Sequence, residues 1–432
     1  MKIEWVNHAS FVVEADGISL ICDPWIEGRV FNNSWAQVSP TVFSYNDFSK
    51  ITHIWFSHEH PDHFYPPNII KIPEEIRKKI TVLYQKSEDR KVIEFCRKLG
   101  FIVIELEPLV EVFLNDTVSI INNKVKNESD SWLFFKSTSF SFLNLNDCVF
   151  ENKADLEKIS SKIGEIDILF TQFSYANWVG NADDFNLKNY HASQKLEEIG
   201  RNIDVFKPKY TVPFASYVWF CAESNFHMNH CVNSIDDVYK FLSNKETTPI
   251  VLYPGDIWYI NGLSDSQQAI EKYVIDHKEK LESRNLTSFE LIEYEDLKKS
   301  AETFKQRHLK MNDNRKLKSY APFFAYLTDW NEAISFSYSM GLKREPKTAK
   351  SQTDIAINSQ NLKYCFDHDW GWSTIMVAGT FEKPLNGNFK NVEEYQWIST
   401  LNNIGKRMDG ILKRSMGLLK TKLKSIWINS KI

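Results

Sequence analysis

The chain has 432 residues, of which 43% are hydrophobic and 14% are aromatic. This length exceeds what a single hydrophobic core usually serves. We therefore expect two domains. A formal net charge of −4 excludes a global basic field that would recruit nucleic acid or an anionic membrane, so the expected partner is a small-molecule substrate.

Cysteine usage and hydropathy indicate the compartment. The six cysteines are scattered without a C-x-x-C pair, and the N-terminal sequence MKIEWVNHAS has neither the charged nor the apolar region of a signal peptide. No stretch of roughly 18 uncharged apolar residues occurs, so we expect no integral membrane span. These features predict a cytoplasmic protein with reduced thiols.

The first quarter of the chain predicts short strands that lead into a histidine-rich loop. The predicted strands are KIEWVNH, SFVVEAD, ISLICDP and HIWFSH. Two segments with helical spacing, EEIRKKI and SEDRKVIEFCRKLG, then alternate with the predicted strands TVLYQ and FIVIEL. This alternation is typical of α/β layering.

A second strand-rich stretch follows. Its predicted strands are DTVSIINNKV, SWLFFKS, FSFLNLNDC, IDILFTQF, KYTVPFASY and PIVLYPGD, with the amphipathic helix KADLEKISSKIG among them. Two β-rich halves with helices outside predict a sandwich. After this stretch come a charged helical segment and an alternating apolar run, WSTIMVAGTF, so we predict a first domain of residues 1–264 and a smaller α+β domain of residues 265–432.

The loop sequence WFSHEHPDHF, residues 55–64, places three histidines and Asp62 directly after an apolar strand. Imidazole nitrogens and carboxylate oxygens suit zinc or iron, and a loop at a strand end can turn several side chains toward one point. A pair of such metals can bind a bridging water, lower its pKa and polarise a substrate oxygen. The spacing predicts a site for one or two transition-metal ions; a chance cluster of surface histidines is the alternative.

The H-x-H-x-D-H spacing in SHEHPDH resembles the signature of the metallo-β-lactamase fold superfamily. The resemblance extends to NHASFVVEADGISLICDPW, LNLNDC and KPKYTVPFASY, over about residues 1–260. It implies an α/β (α+β) protein whose first domain is an αββα sandwich. Within the superfamily, the chain resembles the catalytic part of the CMP-N-acetylneuraminate hydroxylase family, which similarly has a His before the second strand, a DPW sequence, an Asp-Cys pair and a P-F-A strand.

The resemblance implies a role for each matching residue. His58 and His60 would bind the first metal, Asp62 and His63 the second, and Asp147 would bridge them. The alternative for Asp147 is a turn residue that caps the end of a strand.

Asp23 in CDPW resembles a buried residue that orients metal-binding histidines, with a turn role before Pro24 as the alternative. His8 is predicted to line the pocket and, together with Asp62, to be catalytic. A satisfied buried histidine is the alternative reading of His8.

Two ligands of the superfamily pattern are out of register. The third ligand of the first metal is expected shortly before DSWLFF, where Lys126 stands instead of a histidine, and Glu128 or Asp130 could substitute for it. The last histidine is expected after VPFASY, where the sequence offers His227 and His230. We prefer His227 as the metal ligand.

The loop SYANWVG, residues 174–180, has the composition of a loop over an active site. Tyr175 and Trp178 are its predicted substrate-contacting residues, with ordinary core packing as the alternative. The loop resembles the corresponding loop of the hydroxylase family, which implies a sugar, a nucleotide-sugar or another polar substrate.

The second predicted domain contains SQTDIAINSQNLKYCFDHDWGWSTIMVAGTF, which resembles a sterol-carrier-like lipid-binding module. In such a module Phe366, Trp370, Trp372 and Phe381 would wall an apolar cavity. Ordinary aromatic core packing explains these residues as well.

Three functions are consistent with the sequence. We expect a metal-dependent hydrolase that acts on an amide or ester of a small polar substrate. A di-iron oxygenase is the second hypothesis; because the chain lacks the Cys/His cluster of the hydroxylase family's iron–sulfur domain, it would require a separate reductase. A non-catalytic binding protein is the third, and Lys126 and Ala222 support it.

Overall fold

The computed structural model describes residues 2–125, 130–150, 152–262 and 264–408. Contacts divide the chain into two compact units, Met1–Thr287 and Ser288–Ile432. The division falls after the helix Ser266–Ser283 rather than before it. The reason is Tyr273 of that helix, whose hydroxyl accepts a hydrogen bond from the Trp5 indole (2.9 Å) and donates one to the carbonyl of Leu252 (3.0 Å).

The first unit is built on two seven-stranded sheets. The first sheet contains, in spatial order, Ile257–Tyr259, Lys2–Asn7, Ser10–Ala15, Ile18–Cys22, His53–Phe56, Thr81–Gln85 and Ile102–Leu106. Neighbouring strands are antiparallel as far as Ile18–Cys22 and parallel from there onward.

The second sheet contains, in spatial order, Thr248–Pro249, Tyr210–Phe214, Ile168–Gln172, Ser141–Asn144, Ser131–Lys136, Ser119–Lys124 and Glu111–Phe113. The first four of these strands are parallel to one another, and the remaining neighbouring pairs are antiparallel. A separate two-stranded ribbon pairs Trp35–Gln37 with Val218–Phe220.

Helices of the first unit connect these strands. The α-helices are Pro66–Lys71, Glu74–Arg77, Lys91–Lys98, Lys153–Ile163, Phe185–Phe206, Ile235–Leu242 and Ser266–Ser283, and the 3-10 helices are Tyr45–Lys50 and Phe226–Cys231.

Side chains on both faces of the first sheet are buried, as expected for a sheet covered on each side. Phe11 and Val13 face the second sheet, where Phe11 stacks on Phe170 with ring centroids 4.1 Å apart. Val12, between them, joins a separate outer core that contains Ile93 of the helix Lys91–Lys98. The predicted αββα sandwich is therefore confirmed, and burial of both faces explains why successive residues such as Phe11, Val12 and Val13 are all apolar.

The second unit is an α+β arrangement around a five-stranded sheet. The strands, in spatial order, are Gly341–Arg344, Glu332–Ser337, Phe323–Leu327, Ile355–Ile357 and Phe381–Glu382. The helices are Tyr294–Met311, Asn314–Lys318, Ser359–Asp367, Gly371–Ala378 and Lys390–Asn403, with the 3-10 helix Lys350–Gln352.

The alternating apolar run WSTIMVAGTF lies mostly in a helix and reaches a short strand, Phe381–Glu382, only at its end. Residues Gly371–Ala378 are helical, and Gly379 ends the helix in a left-handed conformation with φ 68°. A short apolar run does not by itself distinguish a buried helix from a strand, and a glycine just after the run is a helix stop signal.

Two of the aromatic residues assigned to a lipid cavity lie in the core of this unit. Trp372 and Phe366 are 1% and 0% exposed. Trp372 packs against Phe323 and Phe366 against Phe336, with centroids 5.7 and 5.1 Å apart. These contacts favour core packing.

In the part of the chain that the structure describes, none of the helices is both long and apolar enough to cross a membrane.

Candidate metal centre

The histidine-rich loop lies at one edge of the sandwich, where parallel strands of both sheets end. His58 follows the strand His53–Phe56, and Asp23 follows the neighbouring strand Ile18–Cys22. Carboxyl ends of parallel strands meet at the same sheet edge and commonly form ligand sites.

The second sheet brings two further acids to this edge. Asp147 follows the end of Ser141–Asn144, and Asp130 immediately precedes Ser131–Lys136. Because these two strands are antiparallel neighbours, the start of one lies beside the end of the other. Sheet pairing thus positions acids that are remote from the histidine loop in the sequence.

Seven side chains form three overlapping groups that could each hold a metal ion. In each group the possible ligand atoms lie within 4.8 Å of one another. The first group is His58, His60 and Asp130, the second group is His8, Asp62 and His63, and the middle group, which shares residues with both, is His58, His63 and Asp147. Because His58 and His63 are each shared by two groups, the cluster is continuous, with Asp147 on the middle group. Every predicted metal ligand except His227 belongs to it.

Asp23 fixes the orientation of His63 and is itself completely buried. Its Oδ2 lies 3.0 Å from His63 Nδ1 and accepts hydrogen bonds from the Ser57 hydroxyl (2.8 Å) and the Asn146 amide (2.7 Å). Its Oδ1 accepts the Ser57 main-chain N–H at 2.8 Å. A carboxylate that holds the proton on one imidazole nitrogen leaves the other nitrogen free to bind a metal, which is the role that the sequence predicts for Asp23.

Four non-glycine residues around the cluster adopt the left-handed backbone region. They are His8, Asp23, Asn146 and Ala215, with φ of 42°, 41°, 51° and 54°. Such conformations are uncommon for non-glycine residues and are found where the surrounding structure holds them, often at functional sites. At His8 and Asp23 the unusual backbone accompanies side chains that are buried in or beside the cluster.

Asp130 supplies the third member of the first group. Its Oδ1 lies 3.5 Å from Nε2 of His58, whose other neighbour in the group is His60. Burial raises the pKa of Asp130 above its usual value. Lys126 and Glu128, which the sequence analysis also considered for this position, lie outside the described residues. Asp130 is therefore the acid that the geometry offers in place of a histidine.

We expect Asp130→Asn to weaken metal binding at the first group while leaving the fold intact. The substitution keeps the shape of the side chain and removes the charge that would balance a cation. We expect the metal content, measured by elemental analysis after dialysis, to fall by up to one ion per chain. Asp116→Asn, in an exposed turn of the same sheet, is the matched control. Unchanged metal affinity in Asp130→Asn would remove Asp130 from the ligand set.

The protonation states of His58 and Asp62 suit cation binding, whereas His63 would have to lose a proton. Burial, with the neighbouring His63 and His60, lowers the pKa of His58 to about 3, so this imidazole is neutral. Burial acts to raise the pKa of Asp62, but His63 outweighs it and holds that pKa well below the usual value. Burial acts to lower the pKa of His63, but Asp62 and Asp147 hold it well above the usual value. Metal binding would therefore release a proton from His63.

The cluster contains buried polar atoms without a hydrogen-bond partner, and it contains nitrogen and oxygen atoms whose spacing suits a cation. Among the described residues, Oδ1 of Asp62 and Nδ1 of His8 are buried without a hydrogen-bond partner. Nε2 of His63 lies 3.3 Å from Oδ2 of Asp62 and 3.3 Å from Oδ2 of Asp147, without ordinary hydrogen-bond geometry. Atoms bound tetrahedrally at about 2.0–2.1 Å from a metal are about 3.3–3.4 Å apart. The donors thus fit a transition-metal ion in chemistry and in spacing.

Supporting polar residues were not identified from the sequence. Gln172, the last residue of the strand Ile168–Gln172, donates a hydrogen bond from Nε2 to Oδ1 of Asp147 at 3.0 Å. Ser57 and Asn146 hold Asp23, as described above. All three are strand-end residues or neighbours of predicted ligands, and that position is the signal that would have found them.

Two residues that the sequence predicts for the site, His227 and Tyr175, lie outside the three groups of possible metal ligands. His227 has its Nδ1 3.4 Å from Nζ of the buried Lys188, and it belongs to none of the three groups. We therefore leave it out of the proposed ligand set. Tyr175 is buried, and its hydroxyl donates to the carbonyl of Met228 at 2.5 Å, which indicates a packing role. Trp178 is partly exposed, and its contact with substrate stays a prediction.

Comparison with known proteins identifies the sandwich. Residues 2–215 match the model of the beta-lactamase superfamily domain. The first unit belongs to the metallo-β-lactamase superfamily. This confirms the resemblance seen in the H-x-H-x-D-H spacing. Metallo-β-lactamase superfamily proteins bind one or two transition metals and are mostly metal-dependent enzymes.

Similar proteins carry names of two kinds. A Mycolicibacterium smegmatis protein named as a Rieske 2Fe-2S iron-sulfur protein is 26% identical over 190 residues, which cover 41% of this chain and 35% of that protein. A protein of Pyrobaculum arsenaticum named as a metal-dependent hydrolase is 40% identical over 63 residues, 15% of this chain and 24% of that protein. The chain thus spans less than half of either relative.

Among solved structures, CmlA, a diiron beta-hydroxylase from Streptomyces venezuelae, is similar at 18% identity and a TM-score of 0.44. The match covers 60% of this chain and 53% of that one.

Proposed function

We propose that this metallo-β-lactamase superfamily protein is a metal-dependent hydrolase with a two-metal centre that acts on an amide or ester of a small polar substrate. The observation that supports the proposal is the continuous cluster of imidazoles and carboxylates, whose buried polar atoms lack partners. His58, His60 and Asp130 would hold one ion, and Asp62 and His63 the other, with Asp147 between them.

Transition-metal ions bound there would lower the pKa of a water molecule and polarise a substrate oxygen. The side chains have separate tasks. Asp62 has one oxygen, Oδ2, facing the imidazoles and a second, Oδ1, with no partner among the described residues. Because Asp62 is ionised, Oδ1 is available to accept a proton from an attacking water, which would give this residue the catalytic role that the sequence predicts without naming a step.

Asp23 and Gln172 keep the reactive atoms in place. Asp23 keeps the proton on Nδ1 of His63, and Gln172 fixes Oδ1 of Asp147. His58, Asp62 and His63 are each no more than 2% exposed, so little bulk water reaches these groups. A rigid and largely dry site of this kind strengthens electrostatic interactions with a polar substrate.

The test begins with protein purified without added metal. Elemental analysis should give one or two zinc or iron ions per chain, and metal-loaded protein should hydrolyse some members of a panel of esters, lactones and amides of sugars and nucleotides. Chelation should abolish this hydrolysis and metal return should restore it. Protein that binds metal fully but hydrolyses nothing on the panel would contradict the proposal and favour the non-catalytic binding protein.

An oxygenase is the second candidate, because a relative matching 41% of the chain is named as a Rieske iron–sulfur protein. In this function the same cluster would hold two iron ions, and electrons would come from a separate reductase. Iron-loaded protein should then consume oxygen when a chemical reductant and the substrate are both present. Equal hydrolysis with and without oxygen, and no oxygen consumption, would exclude it.

A further inference from the structure

His8 lies in the turn between the strands Lys2–Asn7 and Ser10–Ala15, and its backbone is fixed on both sides. Its N–H donates to the side-chain oxygen of Asn7 (2.9 Å), and its carbonyl accepts the N–H of Ala215 (3.0 Å). Its φ is 42°, and the register of the two strands shifts just before it, between Trp5 and Asn7. The result is an imidazole that is only 1% exposed.

The ring of His8 is poorly satisfied for a buried histidine. Its Nε2 lies 3.3 Å from Oδ2 of Asp62, and its Nδ1 has no hydrogen-bond partner among the described residues. The ring meets Trp25 edge-on at 5.6 Å and His63 at 5.8 Å between centroids. Most buried polar atoms of side chains have a partner, so a purely structural role leaves Nδ1 of this ring unexplained.

We propose that His8 is a metal ligand that completes the second group with Asp62 and His63. Oδ2 of Asp62 lies 3.3 Å from the Nε2 atoms of both His8 and His63. This is the spacing of neighbouring atoms around one tetrahedral metal ion. His8 thereby takes the position for which the sequence offered His227, and its role is coordination rather than the catalytic role expected from the sequence. The inference rests on the proposed function, because it requires metal in the cluster.

The experiment uses the full chain loaded with Co²⁺, whose ligands give hyperfine-shifted imidazole signals in proton NMR. His8→Ala should lose one set of these signals, and the affinity for the second Co²⁺ should fall by about 100-fold or more, beyond the effect of losing an outer partner of a ligand. The matched control is His227→Ala, which should keep all signals and both ions.

The outcomes separate the two proposals. If the wild type binds no Co²⁺, the proposed function fails and the ligand role with it. If the wild type binds two ions and His8→Ala binds both with unchanged affinity and signals, only the ligand role is overturned. His8→Glu keeps the test decisive if His8→Ala does not fold: it should bind two ions, because a carboxylate can replace the imidazole, and still lack one set of imidazole signals. An unchanged set of signals in His8→Glu would overturn the proposal.

Discussion

His63→Ala is expected to cause the largest loss of metal of any single substitution in this protein. His63 belongs to two of the three groups, and its Nε2 faces both Asp62 and Asp147 at 3.3 Å. Removing it leaves those two buried carboxylates close together without the imidazole between them. We expect the affinity of both metal positions to fall by more than about 100-fold, with loss of hydrolysis.

The measurement is elemental analysis after dialysis, followed by competition with a chromophoric chelator. The matched control is His191→Ala, on the helix Phe185–Phe206, because His191 is not part of any group. It should retain the wild-type metal content. If His63→Ala folds, as judged by circular dichroism, and holds as much metal as the control, the assignment of the centre is wrong.

Asp23→Ala is expected to lower both the free energy of unfolding and the metal affinity. The substitution removes the carboxylate acceptor of four donor groups: the main-chain N–H and hydroxyl of Ser57, the amide of Asn146 and Nδ1 of His63. Removing one partner of a buried charged network typically costs about 3–5 kcal/mol. Loss of the residue that orients a ligand typically lowers metal affinity about 10- to 100-fold.

Two variants separate the hydrogen-bond effect from the backbone effect. Asp16 also has a left-handed φ, 47°, but lies in an exposed turn where it accepts bonds from Thr138. Asp16→Ala should therefore lose stability through the backbone without losing metal affinity. Asparagine tolerates the left-handed region, so the stability and metal affinity that Asp23→Asn loses report mainly on removal of the carboxylate. The free energy of unfolding is measured by denaturant unfolding. If Asp23→Ala and Asp16→Ala have the same free energy of unfolding and the same metal affinity, the role of Asp23 is contradicted.

Local patterns were sufficient for most of the sandwich. The predicted strand TVLYQ is the strand Thr81–Gln85, and the segment KADLEKISSKIG contains the helix Lys153–Ile163. These segments are short and bounded by turn or capping residues, so their own sequence decides their conformation. The long helix Phe185–Phe206 was not identified, although its buried residues Ala192, Ile199, Ile203 and Phe206 recur at helical spacing.

The division between the units shows where local pattern is insufficient. The charged helix Ser266–Ser283 marks a change of composition, yet Tyr273 ties it to the first unit through Trp5 and Leu252. The charged composition of such a helix reflects the residues on its solvent-facing side. The partner of its buried side depends on residues that are distant in the sequence.

The sequence by itself determined the histidine loop, because His58, His60, Asp62 and His63 follow one apolar strand within a few residues and their spacing carries the chemistry. The resemblance to the metallo-β-lactamase superfamily also implied roles for Asp23 and Asp147 as hypotheses. Only the tertiary structure decided that Asp130 and His8 stand in the cluster and that His227 stands beside Lys188. The physical reason is sheet pairing: hydrogen bonds between strands remote in sequence determine which strand ends share an edge, and no local pattern records that pairing.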